Sequence, residues 1–418
     1  MKTFRAYTLS AVAMMLLAGI IPAGAHAQTF TSLYSFTGTP DGAEPFQSNL
    51  LLVKNALVGT TGIGGTFNAG TVFQLASTKK ETVLYSFTGG ADGNQPNSGV
   101  IQDSKGNLYG TTFWGGNTNC VLNSNYPAGC GTVYKLDSAG HFSVVYTFQG
   151  GSDGAWPQGL VIDAAGTLYG VTYYGGDLNC PLFPGGGCGV VFKISSTGAF
   201  SVLYAFQGGA DGAVPEGFLT LHGSSVYGAT QEGGLTTDCG GFGCGVVFAV
   251  PTSTGAEKAL YAFTGGTDGG GPMSQFVFDG PGNLYGTTYS GGDLACSNNG
   301  SSGCGVIFKL TPSGKETVIY PFKGSPDAAN PSWGLTLDTS GNGYGTSLYG
   351  GASNLGSVFE ISSPGHEKVL HSFSGADGSY PQSGLVRVGT AFYSNTVFGG
   401  DLSCSSPNGC GTIFRIVP

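Results

Sequence analysis

The sequence predicts an all-β fold, namely a closed seven-bladed β-propeller whose blades are four-stranded antiparallel sheets. Three observations predict it: a repeated unit with four short apolar runs, seven copies of that unit, and the phase of the two chain ends. Glycine provides 77 of the 418 residues, which suits a chain that turns sharply after every short strand.

One copy of the unit covers residues 159–206 and contains four apolar runs. The runs lie at residues 160–163, 168–172, 190–194 and 200–206, and turns rich in small residues separate them. Runs of about five residues with such punctuation indicate β-strands rather than helices. A single four-stranded sheet cannot cover both of its faces, so the copies are expected to pack face to face.

Two independent markers each occur seven times. A Leu-Tyr-x-Phe-like signature ends the fourth run at residues 33–36, 84–87, 145–148, 203–206, 260–263, 319–322 and 370–373. A glycine pair closes the second run at residues 64–65, 115–116, 175–176, 233–234, 291–292, 350–351 and 399–400. The resulting period of roughly 50–60 residues is that of propeller blades with long loops.

The two chain ends are out of phase with the repeat. After a predicted leader, the chain opens on a fourth-type strand at residues 30–36 and finishes on a third-type strand at residues 413–416. We therefore expect the strand at 30–36 to complete the C-terminal blade at 382–416. That pairing would close the ring and remove a free sheet edge. Residues 28–418 are thus predicted to form a single propeller.

The first 27 residues have the pattern of a secretory signal peptide. Lys2 and Arg5 precede an apolar stretch at residues 11–21, and Ala25-His26-Ala27 forms an A-x-A cleavage site. The alternative is an N-terminal membrane anchor, but the apolar stretch is short for a span. We expect a secreted or periplasmic protein, monomeric and not held in a membrane once the leader is removed.

Charge excludes one class of partner. The chain has 24 acidic and 15 basic side chains, a formal net charge of −9. Nucleic acid binding requires clustered lysine and arginine to neutralise phosphates. The sequence therefore predicts no nucleic acid partner.

The ten cysteines occur in five short-range pairs, each in the loop between a second and a third strand. Repeats one and six lack both cysteines and have the shortest loops at this position. Cysteines that are present or absent together in an exported chain indicate disulfides rather than zinc ligands, because no histidine accompanies them. The predicted pairs are Cys120 with Cys130, Cys180 with Cys188, Cys239 with Cys244, Cys296 with Cys304, and Cys404 with Cys410.

Propeller geometry places these loops and the links between blades at one end of the ring, which we call the disulfide face. Each link contains an aspartate, usually followed by glycine and then proline. Such aspartates commonly cap backbone N–H groups in Asx-turns; the alternative is that some of them ligate Ca²⁺, although no dense aspartate cluster is present. No other cofactor is expected. The seven aspartates are Asp41, Asp92, Asp153, Asp211, Asp268, Asp327 and Asp377.

Aromatic residues are predicted at the same face and, unlike the aspartates, vary from blade to blade. Aromatic faces beside carboxylates suit sugar rings, which present C–H faces and hydroxyls, or a cationic group. The alternative is that they only pack the loops against the disulfides. The candidate binding residues are the seven link aspartates together with Trp114, Trp156, Trp333, Phe113, Tyr173, Tyr174, Tyr289, Tyr349, Tyr380 and Phe398.

Catalytic motifs are not found in the sequence. There is no G-x-S-x-G elbow, H-E-x-x-H motif or P-loop. His141, His222 and His366 map to turns on the opposite face, and His371 replaces a strand tyrosine. A pair of mouth carboxylates from neighbouring blades remains the one enzymatic alternative, and the catalytic residues are unassigned.

The repeat resembles a known family. The segments GLVIDAAGTLYGVT at 159–172, GVVFK at 189–193 and LYAF at 203–206 are similar to the GloVer tandem repeat of exported bacterial proteins. The layout also resembles the NHL-type blade and the streptogramin-lyase propeller. The GloVer resemblance implies an exported repeat protein without an assigned activity. The lyase resemblance implies a histidine and metal site at the ring mouth, where no histidine of this chain maps.

Three hypotheses for function follow from the sequence. The first is an exported binding or scaffold propeller whose disulfide face holds an extracellular glycan or partner protein. The second is a lyase or hydrolase acting on a polysaccharide or lactone through mouth carboxylates, with Ca²⁺ as an optional cofactor. The third is a structural surface component. The sequence favours the first.

Overall fold

The computed structural model describes residues 28–120, 122, 128–235, 239–298, 300–363, 365–405 and 407–418. The predicted signal peptide at residues 1–27 lies outside this part of the chain. Within it, the single helical segment is a short 3₁₀ turn at Cys239–Gly241. No helix in the described ranges is long and apolar enough to cross a membrane.

Seven antiparallel sheets with four strand positions each form the ring. The first strands, from blade 1 to blade 7, are Leu51–Val53, Ile101–Gln102, Ala155–Ile162, Ala213–His222, Gly270–Pro272 with Val277–Phe278, Ala328–Ala329 with Thr336–Leu337, and Val386–Val388. The second strands are Ala56–Thr61, Leu108–Thr112, Leu168–Tyr174, Ser225–Glu232, Leu284–Ser290, Gly343–Ser347 with Tyr349–Gly350, and Ala391–Thr396.

The outer half of each blade is equally regular. The third strands are Thr71–Ala76, Thr132–Leu136, Val190–Ile194, Val246–Pro251, Val306–Leu310, Ser357–Ser362 and Thr412–Val417. The fourth strands are Glu81–Ser86, Phe142–Thr147, Phe200–Ala205, Lys258–Ala262, Glu316–Pro321, His366–Ser372 and, from the N-terminus, Thr29–Ser35. A two-stranded hairpin, Ser297–Asn298 with Ser301–Ser302, lies in the disulfide loop of blade 5.

The ring closes as the phase of the chain ends predicts. Thr29–Ser35 pairs antiparallel with Thr412–Val417, with Thr29 opposite Val417 and Ser35 opposite Thr412. The N-terminal strand is therefore the outermost strand of the last blade. This confirms the predicted seven-bladed propeller, in which neither end of the sheet array is left as a free edge.

The core between blades explains the repeated phenylalanines. The phenylalanine that ends each fourth-strand signature is fully buried and packs edge-to-face on a third-strand aromatic ring of the next blade. Phe148 and Phe192, for example, have ring centroids 5.2 Å apart. Gly170 lies beneath that ring, because a Cβ there would be 2.5 Å from Phe192. This accounts for the glycine of the repeated Leu-Tyr-Gly segment.

A second set of inter-blade contacts lies farther out and is of two kinds. At three interfaces an aromatic residue at the start of a fourth strand stacks on the preceding blade's tyrosine or histidine. The ring centroids are 3.6–3.9 Å apart, in the pairs Phe30–His371, Phe142–Tyr85 and Phe200–Tyr146. At the other four interfaces the equivalent residue is a glutamate with one buried carboxylate oxygen that has no hydrogen-bond partner among the described residues; these are Glu81, Glu257, Glu316 and Glu367.

Candidate functional site

The five predicted disulfides are all present. They join Cys120 to Cys130, Cys180 to Cys188, Cys239 to Cys244, Cys296 to Cys304 and Cys404 to Cys410. Disulfides in this number indicate an oxidising compartment.

The disulfides pack against the inter-blade links, which places loops and links on one face of the ring. A Cβ on Gly150, in the link after blade 2, would lie 2.7 Å from Cys130 Sγ. A Cβ on Gly208, in the link after blade 3, would likewise lie 2.6 Å from Cys188 Sγ. Cys130 and Cys188 are both fully buried, so these cysteines brace the disulfide face from within and offer no surface to a ligand. This confirms the structural role that the sequence predicts for the cysteine pairs.

The seven link aspartates are engaged in turn contacts rather than gathered around the channel. Each carboxylate accepts a hydrogen bond from the aromatic residue seven or six positions earlier, for example from Tyr204 Oη to Asp211 Oδ2 at 2.9 Å. It also accepts a backbone N–H, as from Gln207 to Asp211 Oδ2 at 2.7 Å. His371 takes the tyrosine's place in the last copy, with Nε2 2.8 Å from Asp377 Oδ2. These contacts are those of an Asx-type cap.

Metal-ligand clusters are not found in the described part of the chain: no group of three or more His, Cys, Asp or Glu side chains is arranged to hold an ion. The aspartates considered as Ca²⁺ ligands sit in separate blades and face N–H and O–H donors. Calcium binding by some of these aspartates stays a prediction.

A backbone feature that the sequence reasoning missed surrounds the mouth of the central channel on the disulfide face. In every blade the residue before the link proline has φ between 52° and 59°, in the left-handed region; these residues are Glu44, Gln95, Trp156, Val214, Gly271, Asn330 and Tyr380. Their N–H groups donate to carbonyls at the start of the preceding blade's third strand, as from Val214 to Cys188 at 3.0 Å. A β-branched residue such as Val214 adopts this conformation only where its surroundings enforce it.

Aromatic side chains from blades 2 and 3 meet at one side of this mouth. The ring centroids of Trp156 lie 5.0 Å from both Phe113 and Tyr174, and those of Tyr173 and Tyr174 are 4.8 Å apart. Phe183, from the loop that Cys180 and Cys188 close, extends the cluster to 5.4 Å from Tyr174. Tilted and edge-to-face pairs at these distances are favourable.

These aromatics form a wall of a cavity of about 920 Å³, which we call the mouth pocket. Trp114 also lines it, so five of the candidate binding residues come together here. Polar side chains from four successive blades complete the lining, namely Gln47, Gln95, Asn97, Gln158 and Glu216. An aromatic wall facing a few fixed polar groups is the usual composition of a ligand site.

The polar side of the mouth pocket is held by a contact between blades 1 and 4. Gln47 Nε2 donates to Glu216 Oε1 at 3.3 Å. Burial raises the pKa of Glu216 to about 7; the hydrogen bond from Gln47 opposes this rise and the negative charge of Glu232 adds to it. Asn97, another residue of the lining, has an Oδ1 that is buried without a hydrogen-bond partner among the described residues.

The remaining aromatic candidates lie elsewhere. Trp333 is 2% exposed and packs 4.5 Å from Phe218. Both belong to a cavity along the channel axis to which all seven blades contribute, so Trp333 fills the channel rather than lining its mouth. Tyr349, Tyr380 and Phe398 form a separate cluster at blades 6 and 7, with centroids 5.6 and 6.1 Å apart. The backbone carbonyl of Tyr289 accepts a hydrogen bond from Asn330 Nδ2.

Comparison with known proteins agrees with the repeat and the fold. The model described as the Gloeobacter/Verrucomicrobia repeat matches residues 19–180, 120–299 and 293–418. No curated protein matches the chain. Similar solved structures include an oligogalacturonate lyase in complex with manganese (11% identity, 93% of this chain and 96% of that one, TM-score 0.53).

Two further structures are of the same kind. The oligogalacturonate lyase of Vibrio parahaemolyticus is 11% identical over 93% of this chain and 97% of that one, with a TM-score of 0.52. A putative gluconolactonase is 12% identical over 95% of this chain and 93% of that one, with a TM-score of 0.43. At 11% identity the similarity to the two lyases concerns the propeller fold alone. The more specific resemblance to NHL-type blades stays a prediction.

Proposed function

We propose that this chain, which belongs to the Gloeobacter/Verrucomicrobia repeat family, is an exported binding propeller whose mouth pocket holds an extracellular glycan. The observation that carries the proposal is the mouth pocket itself. It is a concave site of about 920 Å³ with an aromatic wall on one side and amide and carboxyl groups on the other. A binding site for small or extended ligands has this size and composition.

The chemistry of sugars matches both sides of the pocket. Their C–H faces pack on flat rings such as those of Trp114 and Trp156, and the aromatic wall offers several such rings close together. Their hydroxyls both donate and accept, which suits the amides of Gln95, Asn97 and Gln158.

The alternatives fit less well. A hydrolase would need two carboxyl groups on either side of a substrate, and Glu216 is the single carboxylate among the described residues that line the mouth pocket. A protein partner would need a broad surface, whereas the aromatic residues of this pocket line a concavity. We therefore place glycan binding first.

Export is part of the proposal. The five disulfides support an oxidising compartment, and the leader-like segment at residues 1–27 offers the route to it. A secreted or periplasmic propeller would meet glycans of cell walls and extracellular matrices. The link aspartates serve the scaffold in this scheme, through the turn contacts already described.

A glycan array tests the proposal when it is read with the purified, oxidised protein and two matched variants. Trp114→Ala removes an aromatic ring from the mouth pocket, and Tyr349→Ala removes the ring at the equivalent position of blade 6. We expect array binding to fall at least tenfold in Trp114→Ala, about 1.4 kcal/mol, and to persist in Tyr349→Ala. Equal binding by both variants and the parent would refute the mouth pocket as the binding site.

A further inference from the structure

The charge inside the mouth pocket is of one sign. Among its described lining residues there is no lysine, arginine or histidine, and Glu216 is the one acidic side chain. Gln47 fixes one oxygen of that carboxylate at 3.3 Å from across the mouth. Glu216 therefore has a defined position on the polar side, opposite the aromatic wall.

Burial makes this carboxylate sensitive to the charge of whatever enters. A carboxylate removed from water is costly unless a positive group or hydrogen-bond donors compensate it. The rise of its pKa to about 7 expresses this cost, and the negative charge of Glu232 adds to it. A cationic group placed beside Glu216 would be stabilised, whereas a second anion would be repelled.

The aromatic wall favours the same charge. The faces of tryptophan and tyrosine rings attract cations, and the attraction strengthens where water is excluded. Trp156, Tyr173 and Tyr174 lie within 6.3 Å of one another in ring-centroid distance. A cation between this wall and Glu216 would thus meet favourable electrostatics on both sides.

We infer that the mouth pocket is selective for glycans that carry a free amino group, and that the ammonium pairs with the carboxylate of Glu216 while the sugar ring packs on the aromatic wall. The inference rests on the proposed glycan-binding function and names its ligand class. Neutral N-acylated counterparts bind more weakly because they leave the buried carboxylate uncompensated. Anionic glycans bind most weakly of the three.

Three ligands that share one sugar backbone and differ in the charge of the nitrogen substituent test the inference. They are tetramers of glucosamine, N-acetylglucosamine and N-succinylglucosamine, whose nitrogen substituents are cationic, neutral and anionic. Titration calorimetry at neutral pH is expected to give affinities in that order, with glucosamine about tenfold tighter than its acetylated form. Equal affinities, or a preference for the anionic tetramer, would overturn the inference.

Two variants test whether Glu216 causes the preference for glycans with a free amino group. Glu216→Gln keeps the shape and the contact with Gln47 but removes the charge, so it should bind the glucosamine and N-acetylglucosamine tetramers equally and keep the parent's affinity for the latter. Glu232→Gln, at a residue outside the pocket lining, should keep the parent's preference. A preference that survives in Glu216→Gln would overturn the inference while leaving glycan binding intact. If none of the tetramers binds and Trp114→Ala changes nothing on the array, both the inference and the proposed glycan binding are refuted.

Discussion

At the mouth of the channel, blades 2 and 3 have the same backbone conformation as blades 6 and 7 but carry different side chains. Trp156 and Tyr380 occupy the same position before a link proline and share the left-handed conformation, with φ of 59° and 53°. Trp156 is nevertheless 6% exposed and packed among other rings. Tyr380 contacts Tyr349 and Phe398 and does not line the mouth pocket.

The difference lies in the loops between the second and third strands, which lie beside these positions. Phe183, in the disulfide loop of blade 3, forms part of the pocket wall. The corresponding loop of blade 7, at residues 401–410, contains a cysteine pair but no aromatic residue, and the loop of blade 6, at 352–355, is only four residues long. The repeat therefore supplies an equivalent scaffold to every blade, and the length and side chains of the second-to-third-strand loop decide where a pocket forms. This division between rigid strands and variable loops is common in binding proteins.

The largest expected effect separates Trp156 from Tyr380. Trp156→Ala removes a buried ring and should lower the free energy of unfolding by about 3 kcal/mol and abolish glycan binding. Tyr380→Ala removes a partly exposed ring at the matched position and should leave binding unchanged. Denaturant unfolding and array binding measure the two effects, and Trp156→Phe, which keeps an aromatic ring, should retain part of the binding. Loss of binding in Tyr380→Ala would contradict the comparison.

The next largest effect concerns the disulfide loop that places Phe183 in the wall of the mouth pocket. Replacing Cys180 and Cys188 together with serine frees the loop that carries Phe183. The double change at Cys296 and Cys304 frees a loop of blade 5 with the same cysteine separation, none of whose described residues lines the mouth pocket. Both should lower the free energy of unfolding by about 2–3 kcal/mol, since both disulfides close short loops. Glycan affinity should fall only in the first variant. Equal losses of affinity would show that the disulfides act through general stability and not through the wall.

The smallest effect distinguishes the blade interfaces that contain a buried glutamate from those that contain a stacked aromatic ring. Burial raises the pKa of Glu316 to about 7, with the charge of Asp268 adding to it, from an ordinary value of 4.5. The folded protein thus holds a proton that the unfolded chain has released, so stability is full below about pH 4.5 and declines as the pH rises to about 7. Glu316→Gln should be more stable than the parent by about 1 kcal/mol at about pH 8, an amount reduced for solvent screening, and equal to it at about pH 4.

Interfaces closed by stacked rings offer the control. Phe142 stacks on Tyr85 and introduces no titrating carboxyl, so Phe142→Leu should lower stability by the same amount at both pH values. Thermal unfolding from about pH 4 to about pH 8 measures both variants. A pH-independent gain in Glu316→Gln would show that its carboxyl is not neutralised by burial.

The fold and the disulfides could be predicted from the sequence because both repeat. The fourth-strand phenylalanines recur in every blade, and the ring closure follows from the strand at 30–36 lacking its sheet. Cysteine pairs that are present or absent together, such as Cys120 and Cys130, identify their own partners. In each case several copies carry the same signal, so one misread copy does not change the result.

The site could be predicted only in part, because its position depends on single offsets. Trp156 and Trp333 both lie in inter-blade links, but Trp156 precedes the link proline and Trp333 follows it by two residues. The first residue lines the mouth pocket, and the second enters the channel against Phe218. Likewise, the pairing of Gln47 with Glu216 joins residues 169 positions apart, a distance at which no local pattern operates.

Tryptophan fluorescence tests the central claim most directly, since the chain has three tryptophans and only two of them line the mouth pocket. Trp333→Phe retains Trp114 and Trp156, whereas the double variant Trp114→Phe, Trp156→Phe retains only Trp333 in the channel. Titration with a glycan that binds on the array should change the emission of Trp333→Phe and leave that of the double variant unchanged. A ligand-dependent change that comes from Trp333, or binding detected by calorimetry with no change in Trp333→Phe, would contradict the assignment of the glycan to the mouth pocket.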